Sequence, residues 1–514
     1  MAVAEERRLS AGGSVLLLTG MGAVSHVLGF FYRVALSRMV GAEVMGLYQL
    51  LMPVYSVLLS LTAVGLTSAV SNLTSQYLAL GNRRAADQIR VACLRAFFLL
   101  LLPLGTAVVL ASDPISVALL GDARTQLGLM LLVPCAALTG VENIHKHCFY
   151  GAGLVGPPAI VELLEQFIRA AAVLGLLFLF LPQYPERAAG LIVAGMVLCE
   201  VFSALTLTVL YRRRGGRMHL TGPGEPGSVR RRRIAAIALP VGANALLGNL
   251  IGAANSALLP QRLAQGGMER GAAIAQLGVV CGMTLPMLAL PTLFLGPLNL
   301  LLLPRLARAF ALGRAGEVRR LTGRAMSAVA LLTLPAMSLM AVLAPDLGAI
   351  LFGRKDVGRF LIPLALTMAL SCFCSVLGAV LNGVGRQKAV AAVSILGGGV
   401  QLACTLVLVP LPGVGMGGYV AGALLSALLE AGLCLWLAAR YTGLRPPLFS
   451  WLVAPGLASL LAALTANLLL RYLKDSGLPL LPAALGTLLF ALVLYLAALH
   501  AQGVCLRDTL RVRW

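Results

Sequence analysis

Apolar stretches recur along the whole chain, each closed off by glycine, proline or charged residues. A helix rises about 1.5 Å per residue, so about 20 apolar residues cross the roughly 30 Å of bilayer hydrocarbon, and the stretches have that length. They are too long for the strands of a membrane barrel and lack strict alternation of apolar and polar positions. Peptide groups inside hydrocarbon must find partners within their own segment, which leaves helices. The borders predict fourteen spans, at residues 12–36, 46–73, 91–111, 126–149, 158–181, 188–211, 234–259, 273–303, 325–344, 358–383, 388–410, 415–439, 448–472 and 479–502. The first carries no small-residue cleavage pattern and reads as a retained span rather than a signal peptide. The second and tenth contain Pro53 and Pro363. Such breaks are tolerated where neighbouring helices or a wet cavity satisfy the freed backbone groups.

The spans fall into related halves. At one ungapped offset, Leu78-Ala79-Leu80-Gly81 lies on Phe310-Ala311-Leu312-Gly313, and Leu119-Leu120-Gly121 on Leu351-Phe352-Gly353. The same offset puts Asp113-Pro114 on Pro345-Asp346 and Tyr150-Gly151 on Asn382-Gly383. Six spans per half give both halves the same orientation, so the repeat axis runs along the membrane normal, and two such bundles facing each other would enclose a cavity. The expected organisation is an N-lobe at 1–211, a basic linker at 212–233, a C-lobe at 234–440, and spans 13 and 14 with a tail at 441–514. About two-thirds of the 40 Lys and Arg residues fall in alternate segments beginning with the N-terminus, which places both termini in the cytoplasm. The fold class is therefore an all-α polytopic membrane protein.

Composition agrees. The chain is 59% hydrophobic and 11% charged, where soluble domains carry about 25% charged residues. The net charge of +21 sits in loops, most densely between Tyr211 and Arg233. No basic domain interleaved with aromatics accompanies it, so a nucleic-acid partner is excluded and contact with anionic headgroups explains the loop. Ten cysteines are scattered without a CxxC pair. They read as structural thiols, with neither a disulfide framework nor a zinc site.

A charged side chain at mid-bilayer costs about 2.5 to 3.5 kcal/mol on insertion scales, so the few ionisable residues inside spans are the candidate site. The first span carries His26 and Arg33, two turns apart on one face. Arg33 faces either a cavity or, by snorkelling, the headgroups. The fifth carries Glu162, Glu165, Gln166 and Arg169. Glu165 and Arg169 stand at i,i+4 in the favourable acid-before-base order, either as a structural pair or with Glu165 orienting Arg169 toward an anion. Arg95, near the end of the third span, is a weaker candidate. The fourth span ends in Glu142, His145, Lys146 and His147; the Glu142–His145 spacing suits a metal, but two ligands do not make a site, and a polar helix end is the reading adopted. In the seventh span Asn244, Asn249 and Asn255 bring amides to depth, which helix packing explains. Glu200 and Glu430 are proton or cation sites or partnered structural acids. No nucleophile elbow, P-loop or paired-aspartate motif is present, so no catalytic residue, cofactor or metal is expected and the chain reads as a transporter rather than an enzyme.

The segment Ser25–Gln49 (SHVLGFFYRVALSRMVGAEVMGLYQ), the LEQxxR of Leu164–Arg169, ALPVGANALLGNL at 238–250 and LALPTLFLGPLNLLLLPRLAR at 288–308 together resemble the multidrug/oligosaccharidyl-lipid/polysaccharide exporter superfamily. The likeness is to the stage V sporulation protein B and polysaccharide biosynthesis group, relatives of MurJ-type lipid II flippases. The resemblance implies two six-helix lobes opening alternately inward and outward in a bacterial cytoplasmic membrane. It also implies a cationic central cavity for the pyrophosphate of an undecaprenyl-linked glycan, and a groove for the lipid tail on the last two helices. Arg33 stands where the family places one cavity arginine; His26 takes the place of another. The expected activity is flipping of a lipid-linked glycan (lipid II or a polysaccharide precursor, in the cell wall or in sporulation) by a monomer, with an unidentified coupling ion. The alternative is a cation-coupled multidrug exporter of the MATE type.

Overall fold

A computed structural model describes residues 11–215, 222–443 and 449–502. Parts of the basic loop (216–221) and the C-terminal tail with Cys505 lie outside the described residues, as do Arg7 and Arg8. Among the described residues all regular structure is helical. The longer helices are α1 (Ala11–Leu59), α2 (Gly65–Ala79), α3 (Arg83–Leu110), α4 (Gln126–Gly151), α5 (Gly156–Phe180), α6 (Ala188–Gly215), α7 (Gly227–Gln265), α8 (Arg270–Leu277), α9 (Leu295–Ala311), α10 (Ala315–Val342), α11 (Ala344–Phe352), α12 (Asp356–Gly383), α13 (Gln387–Val407), α14 (Met416–Thr442), α15 (Ala454–Asp475) and α16 (Leu480–Ala501).

Among the described residues, thirteen segments are long and apolar enough to cross a membrane. Twelve overlap expected spans three to fourteen, the eighth only in part. The remaining one, Gly20–Ala79, holds the first two spans in one 60-residue helical run. The sequence places a break between them, but the structure replaces it with a kink. Gly41, at φ 77° and ψ 177°, turns the chain inside α1 with a backbone geometry that glycine adopts without a Cβ clash. A π-helical turn at Ser60–Val64 then leads into α2. The eighth expected span, 273–303, is also redrawn: it ends at Thr292, and Leu295–Ala311 is a separate helix. Pro286, Pro291 and Pro297 crowd this stretch, and each removes a backbone donor from the ladder. Large side chains such as Leu99 and Phe178 are each 75% exposed, which suits hydrocarbon rather than water.

The repeat extends to the backbone. Helices α3 and α10 begin and end at equivalent positions, and each carries a proline at the same place, Pro103 and Pro335. Gly81 and Gly313 (φ 70° and 67°), Gly121 and Gly353 (83° and 69°), and Gly153 and Gly385 (73° and 78°) form equivalent pairs of left-handed glycines. After α2 the Asn82 N–H donates to the Tyr77 carbonyl at 2.8 Å, and after α9 the Arg314 N–H donates to Ala309 at 2.9 Å. Both are the six-to-one closure that a left-handed residue at a helix end permits.

The chain divides into two compact units. The first comprises Met1–Gln261 and Glu269–Gly278, the second Arg262–Met268 and Val279–Trp514, each extending as far as the described residues. In the first unit, Leu73, Ile89, Cys93, Phe97, Ala136 and Ile144 form a core among α2, α3 and α4. Helices α7 and α8 join this unit through backbone-to-backbone contacts at glycine. A Cβ placed on Gly46 would come within 2.0 Å of the Ile274 carbonyl oxygen, one on Gly278 within 1.9 Å of that of Ala42, and one on Gly65 within 2.2 Å of that of Ala238. Close approach through small residues is the usual way membrane helices gain packing energy, since lipid offers no hydrophobic drive between them. In the second unit, Leu302, Leu306, Val329, Val376, Val380 and Ala438 interlock α9, α10, α12 and α14. Ala458 and Ala462 of α15 and Tyr495 of α16 pack on Leu331, and the Tyr495 hydroxyl donates to the Leu331 carbonyl at 3.0 Å.

Candidate functional site

Three helices of the first unit bring most of the intramembrane charges together. On α5 the period of the helix sets Glu162, Glu165 and Arg169 within two turns. Arg169 pairs with Glu165 through Nη2, and the same nitrogen lies 3.6 Å from Oε1 of Glu200 on α6. Its Nε donates to the Cys199 sulfur at 3.4 Å. Glu165 and Glu200 are buried, and the Arg169 side chain keeps 24% of its surface. From α4, Lys146 Nζ lies 2.8 Å from Oε2 of Glu162. Glu142, buried one turn earlier, is within electrostatic reach of Glu165, Glu200 and Lys146.

The cluster thus sets four carboxylates against two cations. A buried carboxylate left without a counter-charge is expensive, so the surplus is a place for protons or small cations to balance charge. Oxygen and sulfur donors of Glu165, Cys199 and Glu200 lie within 4.8 Å of one another. The Arg169 guanidinium serves all three, standing where a bound cation would stand.

Sequence reasoning found the local pair and missed its partners from other helices. Glu200 read as a lone acid and Glu142 as part of a polar helix end, because nothing in the chain tells which faces of α4, α5 and α6 meet. Tyr32 was not singled out. Its side chain is buried, its hydroxyl has no hydrogen-bond partner among the described residues, and Arg169 and Arg33 both act on it electrostatically.

The other candidates stand apart. Arg33 is half-buried on α1, with no carboxylate paired to it among the described residues. His26 is exposed, one turn before Gly29, which sits against the Gln166 side chain of α5. Arg95 is exposed on α3, outside the cluster. Asn249 donates from Nδ2 to the Ser56 carbonyl at 3.2 Å, fastening α7 to α1. His145 turns from Glu142: its Nδ1 bonds the Val141 carbonyl at 2.8 Å and its ring meets Tyr211 edge-on. Asn244 is exposed and Asn255 buried. Glu430 belongs to the second unit, with Ser426 donating to its Oε1 at 3.2 Å.

Residues 11–310 match the family described as polysaccharide biosynthesis protein. Stage V sporulation protein B of Bacillus subtilis (strain 168) is 26% identical over 423 residues, covering 81% of this chain and 82% of that protein. Lipid II flippase MurJ of the same organism is 22% identical over 426 residues, covering 76% and 75%. Among solved structures, lipid II flippase MurJ in an inward closed conformation matches with a TM-score of 0.68 at 13% identity, covering 96% of this chain and 100% of that one. At that identity the match establishes the fold alone, a polytopic all-helical architecture.

Proposed function

Because the chain belongs to the polysaccharide biosynthesis protein family, we propose that it is a membrane transporter that flips an undecaprenyl-pyrophosphate-linked glycan across a bacterial cytoplasmic membrane. The names of its relatives, one a lipid II flippase, and a fold match along nearly the whole chain support this reading. A diphosphate needs charge-assisted donors, and arginine presents a planar fork that lysine lacks. Arg33 carries the assignment: it is a guanidinium on an apolar spanning helix, half-exposed and with no carboxylate paired to it among the described residues. Arg169, engaged by Glu165 and Glu200, is a positioning residue for that end of the site rather than a free anion donor. The two six-span halves act as the bodies that alternate between faces, as a monomer, with both termini in the cytoplasm. The prenyl tail stays in lipid while the headgroup crosses a wet path.

The surplus carboxylates of Glu142, Glu162, Glu165 and Glu200 supply the coupling site for a proton or small cation. That same surplus favours the second reading, a cation-coupled exporter of organic cations. Flipping of a labelled lipid-linked glycan in proteoliposomes separates the two. Arg33→Ala abolishes flipping, Arg33→Lys retains part of it, and Arg95→Ala leaves it intact. Undiminished flipping by Arg33→Ala, or transport of organic cations without flipping, would overturn the assignment.

A further inference from the structure

Four helices of the second unit bound an open recess of about 550 Å³. Small residues create it: Gly296 before Asn299 on α9, and Gly378 and Ala379 on α12, keep the helix flanks low where larger side chains would fill the space. Ser371, Ser375 and Asn382 line it from one face of α12 at spacings of four and seven, Ser394 lines it from α13 and Glu430 from α14.

The polar atoms there are only partly used. Asn299 donates from Nδ2 to the Ser375 hydroxyl at 3.0 Å, while its Oδ1 is buried with no hydrogen-bond partner among the described residues. Ser426 donates to Glu430 Oε1 at 3.2 Å, and the Cys374 thiol, also lining the recess, lies 3.9 Å from Glu430 Oε2. A carboxylate has about four lone-pair positions, so Glu430 retains acceptor capacity toward the recess.

We propose that this recess is the subsite for the sugar of the lipid-linked substrate, a neutral, polyhydroxylated group. The assignment rests on the flippase reading above and deepens it. The lining has hydroxyls, amides and one carboxylate, with no lysine or arginine among its described residues, so it suits sugar rather than diphosphate. A carboxylate accepting sugar hydroxyls makes the stronger, charge-assisted kind of hydrogen bond. Size argues against a lone ion: the volume is many times the about 30 Å³ share of one water and falls in the roughly 300–1,000 Å³ range of small-molecule sites. The apolar flank at Val390 faces the C–H side that a pyranose also presents.

The test is binding of two lipids to the full-length protein in neutral-lipid nanodiscs: undecaprenyl diphosphate, and the same carrier bearing an N-acetylated disaccharide. The wild-type protein binds the glycosylated lipid about tenfold or more tightly than the bare one. Glu430→Gln and Asn299→Leu bring the glycosylated lipid to the affinity of the bare carrier and leave the bare carrier's affinity unchanged. Ser394→Tyr, which fills the recess from an exposed position and leaves the carboxylate chemically intact, does the same. Full preference retained in all three variants, or equal weakening of both lipids, overturns the sugar subsite. Equal affinity of the wild type for both lipids overturns the subsite alone, whereas failure to bind either lipid overturns the flippase reading itself.

Discussion

Arg169 Nη2 lies 3.6 Å from Glu200 Oε1, across the interface between α5 and α6. This contact turns a local pair with Glu165 into a junction between helices. It also leaves the guanidinium committed to protein carboxylates, so its removal is expected to act first on the fold of the first unit.

Arg169→Ala strips two buried carboxylates of their cation, and breaking a buried pair from one side costs about 3–5 kcal/mol. Thermal unfolding in detergent should show a large loss. Adding Glu165→Gln to Arg169→Ala should recover part of it, because one stranded charge is then gone. A double variant no more stable than the single one would show that the junction contributes no charge compensation.

Backbone contacts at glycine give a prediction of opposite signs. Gly46→Ala sets a methyl group against the Ile274 carbonyl, which must move, whereas a Cβ on Gly22 of the same helix meets nothing within 4 Å. Gly46→Ala should destabilise by about 1–3 kcal/mol or more, and Gly22→Ala should be neutral or stabilise by up to about 1 kcal/mol. Unfolding midpoints of the two variants check this directly.

Asp122, in the turn before α4, caps the turn that follows by accepting from the Arg124 backbone N–H at 2.9 Å. Burial pushes its carboxyl up, but hydrogen bonds from the Arg124 side chain and backbone, with the guanidinium's charge, outweigh burial and hold it below the ordinary carboxylate value. A group whose folded pKa is depressed binds fewer protons than in the unfolded chain. Its stabilisation is therefore fully present above its unfolded value near 3.8 and is lost as pH falls through the folded one. Asp122→Asn should lower stability at pH 7 and flatten the acid limb of the stability curve. Parallel acid limbs for the two proteins would contradict the linkage.

The described part of the basic loop is tied down. Asn82 Nδ2 donates to the Pro223 carbonyl at 2.9 Å, the Glu225 N–H and Arg230 Nη1 both donate to Gln88 Oε1 at 3.0 and 3.3 Å, and Tyr77 donates to Glu225. Gln88→Ala removes two of these ties, so limited trypsin digestion should cut at Arg230–Arg233 several-fold faster, through easier local opening. Unchanged cleavage would place the loop's order elsewhere.

Length, apolarity and the borders of each stretch determined the helical class, twelve of the spans and the repeat, because hydrocarbon thickness and backbone satisfaction act on each segment separately. The 3.6-residue period likewise made the Glu165–Arg169 pair legible, since both residues lie on one helix. What joins them from outside was not legible. Glu142, Cys199 and Glu200 reach the cluster because α4, α5 and α6 present particular faces to one another, and Asn299 meets Ser375 because α9 lies beside α12. Those faces are chosen by steric fit, as where Gly195 sits against the backbone of Val173, and such fit depends on side chains far apart in sequence. The kink at Gly41 belongs with them: a glycine permits a left-handed turn but does not require one, and only the packing of the surrounding helices decides which of the many glycines uses it.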